Sequence, residues 1–178
     1  PAAFAFVVLG SEAREEQTLA TDQDNAILYA DVAPDRNEAV QAWFLRFGGK
    51  VCGWLDLVGY RRCLGEVMAA NRKWCQPLSQ WRQYFTGCVT AANPQDLLDV
   101  NVFFDFRCAH GEVGLVRQLR EHLHQVLEGA GRNAFFFHLA QSTLQFRAPR
   151  GFFGNIQLES SAEHPAAFTV KAAIVPLV

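Results

Sequence analysis

Residues 4–29 read FAFVVLGSEAREEQTLATDQDNAILY, and most of the predicted architecture follows from them. Their first apolar run, residues 4–9, predicts a buried strand, because an uninterrupted apolar run of this length suits a strand that is covered on both faces. Gly10 ends that run, and the polar residues 12–20 have the composition of a short helix. A second apolar run, residues 25–31, predicts another buried strand. This order of strand, turn, helix and strand is typical of α/β and α+β folds.

Strands and helices continue to alternate in the rest of the chain. Pro34 predicts the first turn of a helix, whose apolar positions recur every three to four residues until Gly48-Gly49 ends it. Residues 50–58 fit either a strand or a short helix, because their apolar period is ambiguous. We therefore predict an α/β to α+β fold. The remaining predicted elements are helices at residues 78–89, 112–128 and 134–146 and strands at residues 100–106, 152–158 and 167–175.

The composition predicts a globular chain with a sizeable core. Half of the 178 residues are hydrophobic and 12% are aromatic, which excludes disordered and low-complexity classes. The formal net charge is −2 and the isoelectric point is about 6.2, so the charge balance does not predict binding to nucleic acid or to a membrane surface. Residues 2–9 and 134–140 are apolar, but both runs are far shorter than the roughly 20 residues that a membrane-spanning helix needs.

The N-terminal residues and the cysteines predict a cytoplasmic protein. Residues 2–9 lack the basic segment that precedes the apolar core of a signal peptide. The five cysteines are scattered, and no two of them form a CxxC motif. This pattern favours reduced thiols in the core of a cytosolic protein over a zinc site or a set of disulfides.

A change of composition at residues 129–133, GAGRN, predicts a domain boundary. We assign residues 1–130 to a first domain and residues 131–178 to the start of a second. The chain begins at Pro1 without a Met and ends in the apolar run 172–178. We therefore expect it to be part of a longer protein, with the second domain truncated.

Gly10 and Ser11 form a candidate phosphate site, because they lie between a buried strand and a helix. The first backbone N–H groups of a helix are free to bind an anion, and the helix dipole favours negative charge there. Ser11 is equally suited to capping the helix, which is an ordinary role for Ser. Arg14 lies one helical turn further on, where it either reaches a phosphate or pairs with an acid such as Glu16 or Asp24.

Asp22 and Asp24 form a candidate metal site at the start of the second buried strand. Residues two apart in a strand point to the same side, so the two carboxylates are expected to converge. Two adjacent anions suit a cation between them, and Mg²⁺ is commonly held by one or two carboxylates together with substrate phosphates. A polar loop is the alternative for DQD alone, but its combination with Gly10-Ser11 places a phosphate site beside a metal site.

The same motifs resemble those of a known superfamily. Gly-Ser, a short helix and Asp-x-Asp entering a strand are similar to the pattern of the DNA polymerase beta-like nucleotidyltransferases. More narrowly, four segments resemble a bacterial nucleotidyltransferase family that carries cyclic-nucleotide-binding and CBS domains upstream and is similar to the uridylyltransferase of the PII protein. They are GSEAREEQTLATDQDNA, CGWLDLVGYRRCLGEVMAANRKW, SQWRQYF and FFDFRCAHG. The resemblance covers nearly the whole chain and implies a mixed sheet flanked by helices, with regulatory domains upstream of this chain.

The resemblance also implies roles for the candidate residues. Gly10 and Ser11 would hold the phosphates of a nucleoside triphosphate. Asp22 and Asp24 would bind Mg²⁺ or Mn²⁺, which bridges the phosphates and activates an acceptor hydroxyl. Members of the superfamily usually add a third carboxylate from a neighbouring strand.

Two residues are candidates for that third carboxylate. Asp105 lies in the strand-like run VNVFFDF, where an acid is unusual, and Glu66 is nearer to Asp22 and Asp24 in sequence. We favour Asp105 as this third catalytic carboxylate, which would act as a metal ligand and could serve as the base. The alternative for Asp105 is a structural ion pair with Arg107, two residues further along the same face.

Two main functions therefore remain open at this stage, beside a catalytically inactive interaction domain, which is favoured only if both candidates for the third carboxylate lie away from Asp22 and Asp24. The first is an enzyme that transfers a nucleoside monophosphate from a nucleoside triphosphate to a hydroxyl, on a protein tyrosine or a small molecule. The second is a nucleotide-binding regulatory module of a signal-transduction protein with little or no turnover. The carboxylate pair favours the enzyme, because binding of a nucleotide alone does not require it.

Overall fold

The computed structural model describes residues 2–17, 21–90, 104–129 and 132–145. The chain divides into two units, Pro1–Arg132 and Asn133–Val178. The functional division into domains 1–130 and 131–178 stays a prediction. The strands predicted at residues 152–158 and 167–175, and most of the strand predicted at residues 100–106, lie outside the described residues.

A mixed four-stranded sheet forms the centre of the first unit. Its strands are β1 (Phe4–Leu9), β3 (Asn25–Tyr29), β5 (Cys75–Pro77) and β6 (Phe106–Gly111), in the order β5-β3-β1-β6. β1 is antiparallel to β3 and to β6, whereas β3 is parallel to β5. The two central strands are buried along almost their whole length, as uninterrupted apolar runs predict. The predicted mixed sheet with flanking helices is confirmed.

A second, two-stranded sheet lies at the start of β3. β2 (Asp22–Gln23) pairs in parallel with β4 (Arg61–Arg62), and Asp24 separates β2 from β3. The register places Asp22 opposite Arg61 and Gln23 opposite Arg62. This small sheet brings the residues that follow β4 next to the residues that lead into β3.

The helix α2 (Pro34–Leu57) begins at the predicted proline but does not end at Gly48-Gly49. The prediction of a helix end was wrong, and the ambiguous residues 50–58 continue the same helix. Gly48 is present for packing, because a Cβ at this position would collide with the carbonyl group of Ala69. Glycine in the middle of a helix therefore marks a close approach here rather than an end.

Two further helices pack against each other beside the sheet. They are α3 (Leu78–Thr90) and α4 (Val113–Glu128), close to the predicted bounds. Trp81 of α3 donates from its indole nitrogen to the carbonyl oxygen of Ile27 at 3.2 Å, which joins this helix to the sheet. His122 of α4 makes a 2.9 Å hydrogen bond to the hydroxyl of Thr86. The buried face of α4 consists of Leu115, Val116, Leu119 and Leu123.

The helix α5 (Arg132–Gln145) begins at the last residue of the first unit and forms the described part of the second, close to the predicted residues 134–146. Phe135 is buried, whereas Phe136 and Phe137 are exposed. Among the residues that the structure describes, no helix combines the length and the apolar character needed to cross a membrane.

Candidate functional site

The Gly10 turn ends β1 and begins α1 (Gly10–Ala13), a helix of a single turn. Gly10 has a φ of +54°, which an L-residue rarely adopts, so glycine suits this position. The backbone N–H of Leu9 donates to the carbonyl of Asp24, and that of Gly10 donates to the carbonyl of Asp105, each at 2.9 Å. Because the N–H of Gly10 already has a partner, a phosphate at this turn would depend mainly on Ser11. The phosphate-binding role of both residues stays a prediction.

The inward side of the segment 22–25 carries two buried amides. Gln23 and Asn25 are each 1% exposed. The amide nitrogen of Gln23 donates to the carbonyl oxygens of Cys52 at 3.0 Å and Tyr60 at 2.8 Å. These bonds tie β2 to the last turns of α2 and to the residues before β4, and they satisfy polar groups that water does not reach.

Asn25 ties the same segment to the loop at residues 63–71. Its side-chain oxygen accepts from the backbone N–H of Ala69 at 2.9 Å and from the thiol of Cys52 at 3.5 Å. Its own backbone N–H donates to the carbonyl of Val67 at 3.0 Å. One buried side chain therefore holds the loop beside the start of β3.

The opposite side of the segment carries Asp22 and Asp24, as the alternation of a strand predicts. Their carboxylates come together with the thiol of Cys63, and the ligand atoms of all three residues lie within 4.8 Å of one another. Asp22 is exposed, whereas Asp24 and Cys63 are partly buried. The structure thus brings the two predicted carboxylates into one group and adds a thiol that the sequence did not indicate.

Cys63 was missed because its position depends on the pairing of β2 with β4. Cys63 lies two positions after Arg61, which is opposite Asp22 in that pairing. Parallel neighbours share a face, and so do residues two apart along a strand. A pairing of two-residue strands leaves no periodicity in the sequence, so no local signal predicted this contact.

The electrostatics of the group follow from its partial burial. Burial raises the pKa of the Cys63 thiol, and the hydrogen bond to Asp24 raises it further. Burial also raises the pKa of Glu12 in α1, where the charge of Asp24 adds to the rise and that of Arg107 opposes it. The charge of Asp24 therefore disfavours further negative charge on its neighbours Cys63 and Glu12, and a cation would relieve this repulsion.

Asp105 does not belong to this group. It precedes β6 instead of lying inside a strand, because β6 begins at Phe106, opposite Leu9. Its carboxylate accepts a 2.5 Å hydrogen bond from the guanidinium of Arg14, which also contacts Glu16 at 2.9 Å. Arg14 thus joins Asp105 and Glu16 in one ion-pair network.

Arg107 was the expected partner of Asp105 in the structural alternative, and this expectation was wrong. Arg107 instead donates to the carbonyl oxygens of Glu12 at 3.1 Å and Ala13 at 3.3 Å, which fastens α1 to β6. The other candidate for a third carboxylate, Glu66, is exposed and has a φ of +55°. Among the described residues, neither Asp105 nor Glu66 joins the acids and thiol that lie within 4.8 Å of one another.

The donor set fits a divalent cation. Two carboxylates from residues two apart provide the oxygen ligands that Mg²⁺ and Mn²⁺ take in proteins. The thiol adds a ligand that Mg²⁺ does not favour and that Zn²⁺ and related ions do. Asp22 and Asp24 are therefore the residues suited to a metal, with Cys63 as the further donor in reach.

Two family models match the chain. A model described as "Putative nucleotidyltransferase DUF294" matches residues 1–95, and a model described as "Putative nucleotidyltransferase substrate binding domain" matches residues 133–178. The first range contains Asp22, Asp24 and Cys63, whereas Asp105 lies outside both ranges. No curated protein and no solved structure matches the chain.

Proposed function

The chain belongs to the family described as "Putative nucleotidyltransferase DUF294", and from this premise we propose that it transfers a nucleoside monophosphate from a nucleoside triphosphate to a hydroxyl group. The observation that carries this proposal is the convergence of Asp22 and Asp24 directly before the central strand β3. A hinge or a surface loop has no need of two converging carboxylates whose segment is fixed by buried amides. A metal-dependent transfer needs such a pair of carboxylates to hold the metal ion.

In the proposed reaction, the oxygen of the acceptor hydroxyl bonds to the α-phosphorus of the triphosphate. The bond from that phosphorus to the oxygen that bridges it to the β-phosphate breaks, and pyrophosphate leaves. The hydroxyl proton passes to solvent or to a carboxylate. A bound Mg²⁺ or Mn²⁺ supplies charge neutralisation for the phosphates.

The chain's own residues bind and orient in this scheme. Asp22 and Asp24 hold the cation, and the Gly10-Ser11 turn receives the triphosphate. Arg14 lies one turn further along and is kept in place by Asp105 and Glu16. A role for Asp105 as third metal ligand stays a prediction, and it requires that the carboxylate exchange its contact with Arg14 for the metal.

The proposal also specifies the group that accepts the nucleoside monophosphate. We propose a hydroxyl on a protein tyrosine or a small molecule, as in an enzyme similar to the PII uridylyltransferase. The family model that matches residues 133–178 is that of a substrate-binding domain, which supports a substrate-binding role for the second domain. A regulatory module that binds the nucleotide with little turnover is the second candidate, and the ion pair that occupies Asp105 favours it.

The test measures pyrophosphate release from each nucleoside triphosphate with Mg²⁺ or Mn²⁺, using water as the acceptor, together with nucleotide binding by calorimetry. The Asp22→Asn/Asp24→Asn double variant is the inactive comparison. Asp35→Asn, which makes the same chemical change at an exposed residue outside the metal group, is the matched control.

We expect cation-dependent release that the double variant loses and the control keeps. Release that the double variant retains would contradict the proposal. Cation-dependent binding without release, lost in the double variant, would support the regulatory module instead.

A further inference from the structure

The loop that follows β4 holds Cys63 in a defined position. The backbone N–H of Glu66 donates to the carbonyl of Cys63 at 3.0 Å and closes a tight turn. Beyond the turn, Val67 and Ala69 are bonded to Asn25, the residue that directly follows Asp24. The position of the thiol is therefore coupled through a buried side chain to the position of the carboxylates.

The placement of Cys63 differs from that of the buried thiols Cys52 and Cys75. Cys52 and Cys75 are each almost fully buried in the core, and burial raises the pKa of Cys75 to about 12. Such thiols act as small apolar side chains. Cys63 is partly exposed, and in the described parts of the chain it is the thiol whose sulfur joins a group of carboxylates within 4.8 Å.

Three donors from two chain segments then surround one point in space. Asp22 and Asp24 come from the residues that enter β3, and Cys63 comes from the residues that leave β4. The thiol is hydrogen-bonded to Asp24, so its sulfur lies against the carboxylates. A cation that binds all three residues takes the place of the thiol proton between the sulfur and the carboxylates.

On the basis of the proposed metal-dependent function, we infer that Cys63 is a third protein ligand of the divalent ion. The site then offers two carboxylate oxygens and one thiolate sulfur, and the thiol proton passes to the buffer when the metal–sulfur bond forms. Ions that accept sulfur, such as Zn²⁺, Co²⁺ and Cd²⁺, bind this set more tightly than Mg²⁺ does. The nature of the residue at position 63 therefore sets the metal preference of the site.

The test uses Cd²⁺ alone as the probe and does not depend on activity. The protein is titrated with Cd²⁺ and the ultraviolet charge-transfer band of a cadmium–sulfur bond is recorded. Cys63→Ser removes the proposed ligand, and Cys108→Ser removes another partly exposed thiol that lies in β6 outside the group. Circular dichroism shows that each variant is folded.

We expect one cadmium–sulfur band in the wild-type protein, lost in Cys63→Ser and kept in Cys108→Ser. The Cd²⁺ affinity of Cys63→Ser should fall about 100-fold or more, because even residues that merely orient a ligand change affinity by about 10–100-fold. Asp24→Asn should keep the band but weaken Cd²⁺ binding at least about tenfold. A band that persists in Cys63→Ser would overturn the inference. So would a Cd²⁺ affinity that Asp24→Asn leaves unchanged, because the thiol would then bind the ion by itself.

A second variant, Cys63→Asp, replaces the sulfur by a carboxylate. We expect it to lose the cadmium–sulfur band and to shift the ratio of Mg²⁺ to Cd²⁺ affinity at least about tenfold towards Mg²⁺. An unchanged ratio would count against Cys63 as a ligand.

The inference and the proposed function fail in different ways. Pyrophosphate release with Mg²⁺, together with a cadmium–sulfur band that does not depend on Cys63, leaves the function in place and overturns the inference. A band that is lost in Cys63→Ser, together with a Cd²⁺ affinity that falls in Asp24→Asn and no pyrophosphate release in any ion, supports the inference and contradicts the transferase.

Discussion

The segment 22–25 presents two sides with opposite environments. Gln23 and Asn25 are each 1% exposed and bonded to backbone groups and a neighbouring thiol, whereas Asp22 is exposed and Asp24 partly so. Neutral amides can be buried at low cost when their hydrogen bonds are complete, but a buried pair of carboxylates would be costly. The difference shows that the inward side stabilises the fold and the outward side is available for chemistry.

The largest effect should come from the outward side. We expect Asp22→Asn and Asp24→Asn each to reduce cation-dependent pyrophosphate release by about 100-fold or more, because the developing charge loses its neutralising metal. The melting temperature should stay equal or rise slightly, since repulsion between two adjacent carboxylates is relieved. Parallel activity assays and thermal melts measure both. Wild-type turnover in either variant would show that the metal assignment is wrong.

The next largest effect should come from the inward side. Asn25→Ala leaves the N–H of Ala69 without its acceptor in a buried place, so we expect a loss of about 2–3 kcal/mol in the free energy of unfolding. Urea denaturation measures this loss. Asn37→Ala is the matched control, because Asn37 accepts a single bond from the hydroxyl of Tyr29 and is partly exposed. Equal losses in the two variants would contradict a special supporting role for Asn25.

The contact between α2 and Ala69 adjoins the inward side of the segment 22–25, because Ala69 is bonded to Asn25. A substitution at this contact should have a smaller effect. Gly48→Ala forces a methyl group against the carbonyl of Ala69, so we expect a loss of about 1–3 kcal/mol in the free energy of unfolding. Gly53→Ala lies in the same helix with open space around it, and should raise stability by about 0.5–1 kcal/mol. The same denaturation experiments compare them. A higher free energy of unfolding in both variants would mean that α2 does not closely contact Ala69 at Gly48.

The smallest effect should come from Asp56, whose charge lies on neither side of the segment 22–25. Asp56 pairs with Arg62 at 3.2 Å, and both side chains are about half exposed. Water screens such a pair, so Asp56→Asn should change the free energy of unfolding by less than about 0.5 kcal/mol and leave pyrophosphate release unchanged. A large loss of activity in Asp56→Asn would extend the site beyond the group formed by Asp22, Asp24 and Cys63.

Local patterns in the sequence were sufficient for the central strands and for the start of the longest helix. The run 4–9 became β1 and Pro34 became the first residue of α2, because burial on both faces and the fixed φ of proline act within a few residues. The glycines at 48 and 49 were misread, since the signal for a helix end is the same as the signal for a close contact. Most of the strand predicted at 100–106 lies outside the described residues, and the described strand β6 begins at Phe106, where its pairing with β1 begins.

The alternation of Asp22, Gln23, Asp24 and Asn25 already placed the two carboxylates on one side of the chain, because side chains alternate along an extended backbone. The third member of the group depended on the tertiary structure. The pairing of β2 with β4 and the bonds from Asn25 bring Cys63 to the carboxylates from a distant part of the sequence, whereas Arg14 draws Asp105 into an ion pair. Contacts of this kind arise from the packing of separate elements, and no spacing within one segment encodes them.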